Sequence, residues 1–146
     1  KNENDRFFRI LLSIKESNRI NEMSIFIGLV LLVIGNFLGG IWANESWGRY
    51  WGWDPKETWT LVSIIIYSII IHLKYIKNLM SEYLLSLLSV LSYFSIIMTY
   101  FGVNYFLSGK HSYAAGDPIQ IPSFVYFSLL VIFVIILLSY KNRKVL

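Results

Sequence analysis

Apolar positions in this chain come in long unbroken runs, not in alternation or in narrow stripes. Four runs stand out, at about 23–43, 58–75, 83–107 and 122–140. A membrane-crossing helix needs roughly 20 mostly apolar residues, and each run is too long for a strand in a compact soluble fold. None carries an acid or an arginine in its middle. The pattern predicts an all-α, polytopic membrane protein with about four transmembrane helices. The first run is not a signal peptide, because further spans follow and no small-residue cleavage site closes it. Residues 1–22 are polar and charged around a short apolar patch of Phe7, Phe8, Ile10, Leu11 and Leu12. They read either as an amphipathic helix on the membrane surface or as a cytoplasmic loop, distinct from a four-helix membrane domain at 23–146. In the first run, Gly35, Gly39 and Gly40 form a smooth face that predicts close approach of a neighbouring helix.

Charge refines the picture. Only 15% of residues are charged and the mean hydropathy is +0.55, whereas soluble domains carry about a quarter charged residues. This balance excludes a disordered chain, a nucleic-acid-binding module and an ordinary soluble enzyme. Ten of the 13 basic residues fall before the first run, between the second and third, or after the fourth. Only Arg49, Lys56 and Lys110 fall in the other two loops. Basic residues favour the cytoplasmic side, so both termini are expected in the cytoplasm, with loops 44–57 and 108–121 extracytoplasmic. With no cysteine, the chain has no disulfide, thiolate ligand or cysteine nucleophile. No serine–histidine–aspartate set gathers in one compartment around an evident nucleophile, which argues against a hydrolase.

All five tryptophans, Trp42, Trp47, Trp51, Trp53 and Trp59, lie in the segment WANESWGRYWGWDPKETW. An interfacial aromatic belt accounts for one or two of them near a span end. It accounts poorly for Trp47, Trp51 and Trp53, which share a loop with Gly48, Gly52 and Pro55, and the third and fourth spans hold no tryptophan. Several broad indole faces beside glycines that allow close backbone approach suit a large planar ligand, a porphyrin above all. Asp54, Pro55 and Glu57 carry two readings at even weight: helix-start residues, or a direct part of the site.

The two histidines are placed differently. His72 lies near the cytoplasmic end of the second run, where it is either an intramembrane functional group or a residue reaching for the interface beside Lys74. His111 lies in the second outer loop, as a solvated histidine or a ligand. Histidine is a common axial ligand of haem iron. Trp59 and His72 are 13 residues apart, about 20 Å along a helix, so a single haem does not span both. If both histidines hold haem, they define two sites at different depths.

The stretch WGRYWGWDPKETW, preceded by IWANESWG, resembles the tryptophan-rich (WWD) signature of haem-handling proteins. Within that group it is most similar to the CcsA (ResC) type of the System II cytochrome c biogenesis pathway. The later GVNYFLSGKHSYAAGD resembles the same family's second motif, and the resemblance covers roughly residues 20–140. It implies a protein that binds haem (haem b as substrate), presents it on the extracytoplasmic side and supports its thioether attachment to CxxCH apocytochrome c. It implies a holocytochrome c synthetase (haem lyase) complex with a CcsB/ResB-like membrane partner, separate or fused. On that basis Trp47, Trp51, Trp53 and Asp54, with the flanking Trp42 and Trp59, belong to the haem-presenting loop. His111 is an outward axial ligand to the iron, and His72 matches the family's transmembrane histidine. The setting is the bacterial cytoplasmic membrane, or the thylakoid membrane in a plastid.

The chain departs from the family in having no histidine upstream of Trp42, where the family has a second outward ligand. The chain is therefore expected to be the C-terminal portion of a longer protein. Arg49, Gly52 and the AAGDP after His111 also depart from the pattern. Two other readings compete with attachment chemistry: a haem transport module alone, and a structural membrane subunit whose tryptophan loop docks a partner.

Overall fold

The computed structural model describes residues 2–76, 81–107, 109 and 121–142. Its elements are α1 (Asn2–Trp47), α2 (Pro55–Leu73), α3 (Glu82–Ile97), a π-helical turn (Met98–Gly102), α4 (Val103–Phe106) and α5 (Ser123–Asn142), with no β-strand among the described residues. Four helical stretches are long and apolar enough to cross a membrane. The protein is all-α, and the four runs anticipated from hydropathy are all present as helices.

The first helix is longer than its apolar run. Residues 2–22 continue without a break into the first span as one 46-residue helix. Its polar residues meet partners on the other helices. Asn18 is buried; its Nδ2 donates to Glu82 Oε2 at 2.6 Å, and its Oδ1 accepts from the Ser86 hydroxyl at 2.8 Å. Asn21 Nδ2 donates to Ser89 Oγ at 2.9 Å, and Lys74 pairs with Glu22.

These contacts set the topology. Asn18 and Asn21 meet Glu82 and Ser89 in ascending order, so α1 and α3 run parallel. Ser63 Oγ lies 3.2 Å from Thr99 Oγ1, and α2 runs antiparallel to both. Lipid gives helices little hydrophobic reason to associate, so small and polar side chains carry the packing. Ser63 and Val103 are wholly buried, with Ser92 and Ser95 nearly so. Ser86, Ser89, Ser92, Ser95 and Thr99 recur every three or four residues along one face of α3 and its π turn. Each hydroxyl also bonds a carbonyl of the preceding turn, which leaves none of these five donors unsatisfied in apolar surroundings. No described side chain of α5 is buried.

The glycine face differs from its expectation. No atom lies within 4 Å of a Cβ built on Gly35 or Gly39, while one built on Gly40 would sit 3.3 Å from the Tyr50 carbonyl oxygen. At Gly40 the small residue admits loop backbone, not a helix. The rest of the face is the floor of an open groove.

Candidate functional site

The loop between α1 and α2 is built by its own sequence. Gly48 ends α1: it takes φ +72°, a region glycine enters without steric cost, and its amide donates to the Asn44 carbonyl at 2.8 Å. Arg49 lies across Gly52, where a Cβ would fall 2.7 Å from Arg49 Cζ. Trp53 takes φ +56°, unusual for a bulky side chain, and it remains 70% exposed. Such strain costs about 1–3 kcal/mol and gathers at functional sites. The strained turn holds Trp53 edge-on to Trp51, with ring centroids 5.6 Å apart and planes at 90°. At the end of α1, Trp42 and Trp47 form a second edge-on pair at 5.1 Å.

The loop closes on a reciprocal cap. Asp54 is the N-cap of α2 and Pro55 occupies its first turn. The Asp54 carboxylate accepts from the Lys56 amide at 3.4 Å. Glu57 Oε2 reaches back to accept from the Gly52 amide at 2.7 Å and the Asp54 amide at 3.2 Å. The helix-start reading of Asp54, Pro55 and Glu57 is thus realised in full. Glu57 does more than cap, since it also ties the loop at Gly52 to the helix. Asp54 is only 8% exposed.

Beneath the loop, a groove of about 380 Å³ lies between α1 and α2. Gly35, Gly39 and Gly40 line it with the aromatic Trp42, Tyr50 and Trp51. Lys56, Glu57 and Thr60 from α2 also line it. The groove is flat on the glycine side and aromatic on the loop side. Trp59 stands one turn into α2, and its carbonyl accepts from Ser63 Oγ at 3.0 Å.

The loop at 108–121 is described only at its edges, and His111 lies outside the described residues. The described residue before it is informative. A Cβ on Gly109 would fall 2.7 Å from Asp54 Oδ1 and 2.9 Å from Pro55 Cδ. The chain leaving α4 therefore passes directly over the N-cap of α2 at Gly109.

His72 is remote from this end. It sits in the last turn of α2, exposed, with Nδ1 2.7 Å from the Ser68 carbonyl oxygen. A carbonyl only accepts, so Nδ1 is the donor in this contact. A backbone carbonyl often orients a metal-binding imidazole in this way. A second, larger cavity of about 780 Å³ opens at the same end, lined by Lys15, Arg19, Lys74, Glu82 and apolar residues of all three helices.

Asn104 is a residue that hydropathy alone does not flag. It is 4% exposed, and its Oδ1 has no partner within the described structure. The π turn is the cause. In a regular α-helix, at 100° per residue, Asn104 would lie half a turn away from Ser95. The wider turn at Met98–Gly102 rotates it back toward the buried face. Met98 packs over Gly102 within that turn, its Sδ occupying the space where a Cβ would be. The signal available in sequence was the GVN triplet itself.

Bundled apolar helices with small and polar contacts, a strained tryptophan loop and a second loop resting on its cap define a polytopic membrane protein with one elaborated end. The chain belongs to the family described as Cytochrome C assembly protein, which matches residues 1–111. It is similar to Protein NrfI of Wolinella succinogenes, with 61% identity over 106 residues, covering 73% of this chain and 12% of that protein. It is also similar to the cytochrome c biogenesis protein CcsA of Phaseolus vulgaris, at 40% identity over 70% of this chain and 31% of that one. The CcsA of Cyanophora paradoxa is 42% identical over 73% of this chain and 35% of its own length. The chain thus spans about a tenth to a third of the length of these curated relatives.

Proposed function

We propose that this protein acts in cytochrome c biogenesis by receiving haem and presenting it at the tryptophan loop for attachment to an apocytochrome c. Family membership supports the pathway. The observation that supports the site is the seating of Gly109 on the Asp54–Pro55 cap. The exposed Trp53 indole on its strained turn, edge-on to the half-buried Trp51, fits a planar apolar substrate, because burying its face against one removes it from water. Haem b is the substrate this reading names. His111 supplies an axial ligand to its iron, Trp47, Trp51, Trp53 and Asp54 frame the loop, and Trp42 and Trp59 flank it. His72, its ring oriented by the Ser68 carbonyl, serves a second haem position at the opposite end of α2.

In this reading the tryptophan loop faces the extracytoplasmic side, periplasmic in a bacterium or lumenal in a plastid, with the basic ends of the spans in the cytoplasm. The thiols of a CxxCH motif add across the haem vinyl groups to form thioethers, and this chain contributes no nucleophile to that step. Its part is to bind, orient and shield the substrate. A CcsB/ResB-like membrane protein completes the synthetase. In this reading residues 1–22 form an interfacial segment that runs on as one helix into the membrane domain at 23–146.

The test is an absorption spectrum of the protein at its full native length, purified in detergent with its partner. A Soret band that weakens or shifts in His111→Ala is the expected result. The absence of any Soret band in the native complex overturns the reading and favours a structural subunit.

A further inference from the structure

We propose that Gly109 is a positioning residue: its bare backbone, seated on the Asp54 carboxylate and the Pro55 ring, fixes the second outer loop to the cap of α2. This rests on the reading of His111, two residues further on, as an iron ligand. The contact is narrow. A methyl group on Gly109 would lie 2.7 Å from Asp54 Oδ1, 3.2 Å from its Cγ and 2.9 Å from Pro55 Cδ, closer than real carbon contacts.

Neither neighbour can yield. Pro55 is fixed by its ring and by the start of the helix. Asp54 is buried and its other oxygen is engaged with the Lys56 amide. Gly52 offers the contrast: a Cβ there would also crowd a neighbour at 2.7 Å, but that neighbour is the end of the Arg49 side chain, which is long and free to swing. A side chain at Gly109 therefore has to lift the second loop or break the cap.

The joint also explains why Asp54 suits a cap that is part of a site. One carboxylate oxygen accepts from the helix start, and the other faces Gly109. The register of the bundle serves the same end. The Ser63–Thr99 contact and the Asp54–Gly109 contact lie on one antiparallel seam, so the joint carries that seam to the start of α2.

The experiment uses the full-length protein in its native complex, with Gly109→Ala, Asp54→Ser and the double variant. Serine is a good N-cap but lacks the oxygen that the methyl would strike. Two readouts are taken: haem retention with and without added imidazole, and amide exchange at Lys56 and Glu57. Gly109→Ala is expected to weaken haem retention roughly tenfold or more, with added imidazole restoring the band because the ligand is displaced, not lost. It is also expected to speed exchange in the first turn of α2, and adding Asp54→Ser should recover part of both losses. Native haem retention and native exchange in Gly109→Ala overturn the proposal, as does a loss that imidazole does not restore or that the double variant merely adds to. A native complex with no haem would defeat the functional reading alone, because the exchange measurement still judges the contact.

Discussion

Glu57 ties the tryptophan loop to its helix, and its removal gives a magnitude that can be worked from the structure. Its Oε2 accepts from two backbone amides, Gly52 at 2.7 Å and Asp54 at 3.2 Å. Hydrogen bonds to a charged partner are worth about 1.5–3 kcal/mol each. The carboxylate is only half-buried and the second bond is long, so water regains part of that value when the bonds break. About 1 kcal/mol per bond, or about 2 kcal/mol together, is a fair expectation. That corresponds to about a 30-fold shift in the equilibrium between the closed and opened loop. The assay is amide hydrogen exchange at Gly52 and Asp54 in Glu57→Ala, with both amides expected to exchange about 30-fold faster. Glu57→Gln keeps an oxygen acceptor without the charge and should lose less. Unchanged exchange at Gly52 and Asp54 refutes the tie. Faster exchange along the whole of α2 refutes its locality.

Three further outcomes follow from other parts of the fold. Trp53→Gly removes a strained left-handed residue, so stability read by thermal unfolding should hold or rise, by up to about 1–2 kcal/mol of relieved strain. The same variant should lose haem-dependent absorbance, since the exposed indole is gone. Asn18→Leu breaks the contacts to Glu82 and Ser86; at about 0.6 kcal/mol per intramembrane contact, reversible unfolding in mixed micelles should show a loss of about 1 kcal/mol. His72→Ala removes the imidazole at the far end of α2, so its spectral change should differ from that of His111→Ala, and the double variant should show both changes.

Several features were legible before any coordinates. The four apolar runs became helices because no other element pairs every backbone group within lipid. The start of α2 was readable because Asp-Pro-Lys-Glu carries a cap, a first-turn proline and a third-position acid in order. Elsewhere the sequence read ambiguously for physical reasons. Asn18, Asn21 and Glu22 look like a polar boundary between a surface segment and a span. They are instead an interhelical seam inside one continuous helix, and their partners Glu82, Ser86, Ser89 and Lys74 lie more than fifty residues away. Gly35 and Gly39 looked like a packing face, but only the Tyr50 carbonyl approaches that face, at Gly40. The burial of Asn104 depends on a π turn, which no periodicity of 3.6 predicts. The joint at Gly109 depends on the register of two antiparallel segments, which local sequence does not encode.

The measurement that bears most directly on the central claim is covalent haem in a CxxCH reporter cytochrome, read by haem peroxidase staining after denaturing electrophoresis. The reporter is produced with the full-length complex carrying either the native loops, His111→Ala, or Trp51→Ala with Trp53→Ala. Strong staining with the native loops and its loss in both variants is the predicted result. Native-level staining in both variants would contradict the claim that these two loops present haem for attachment.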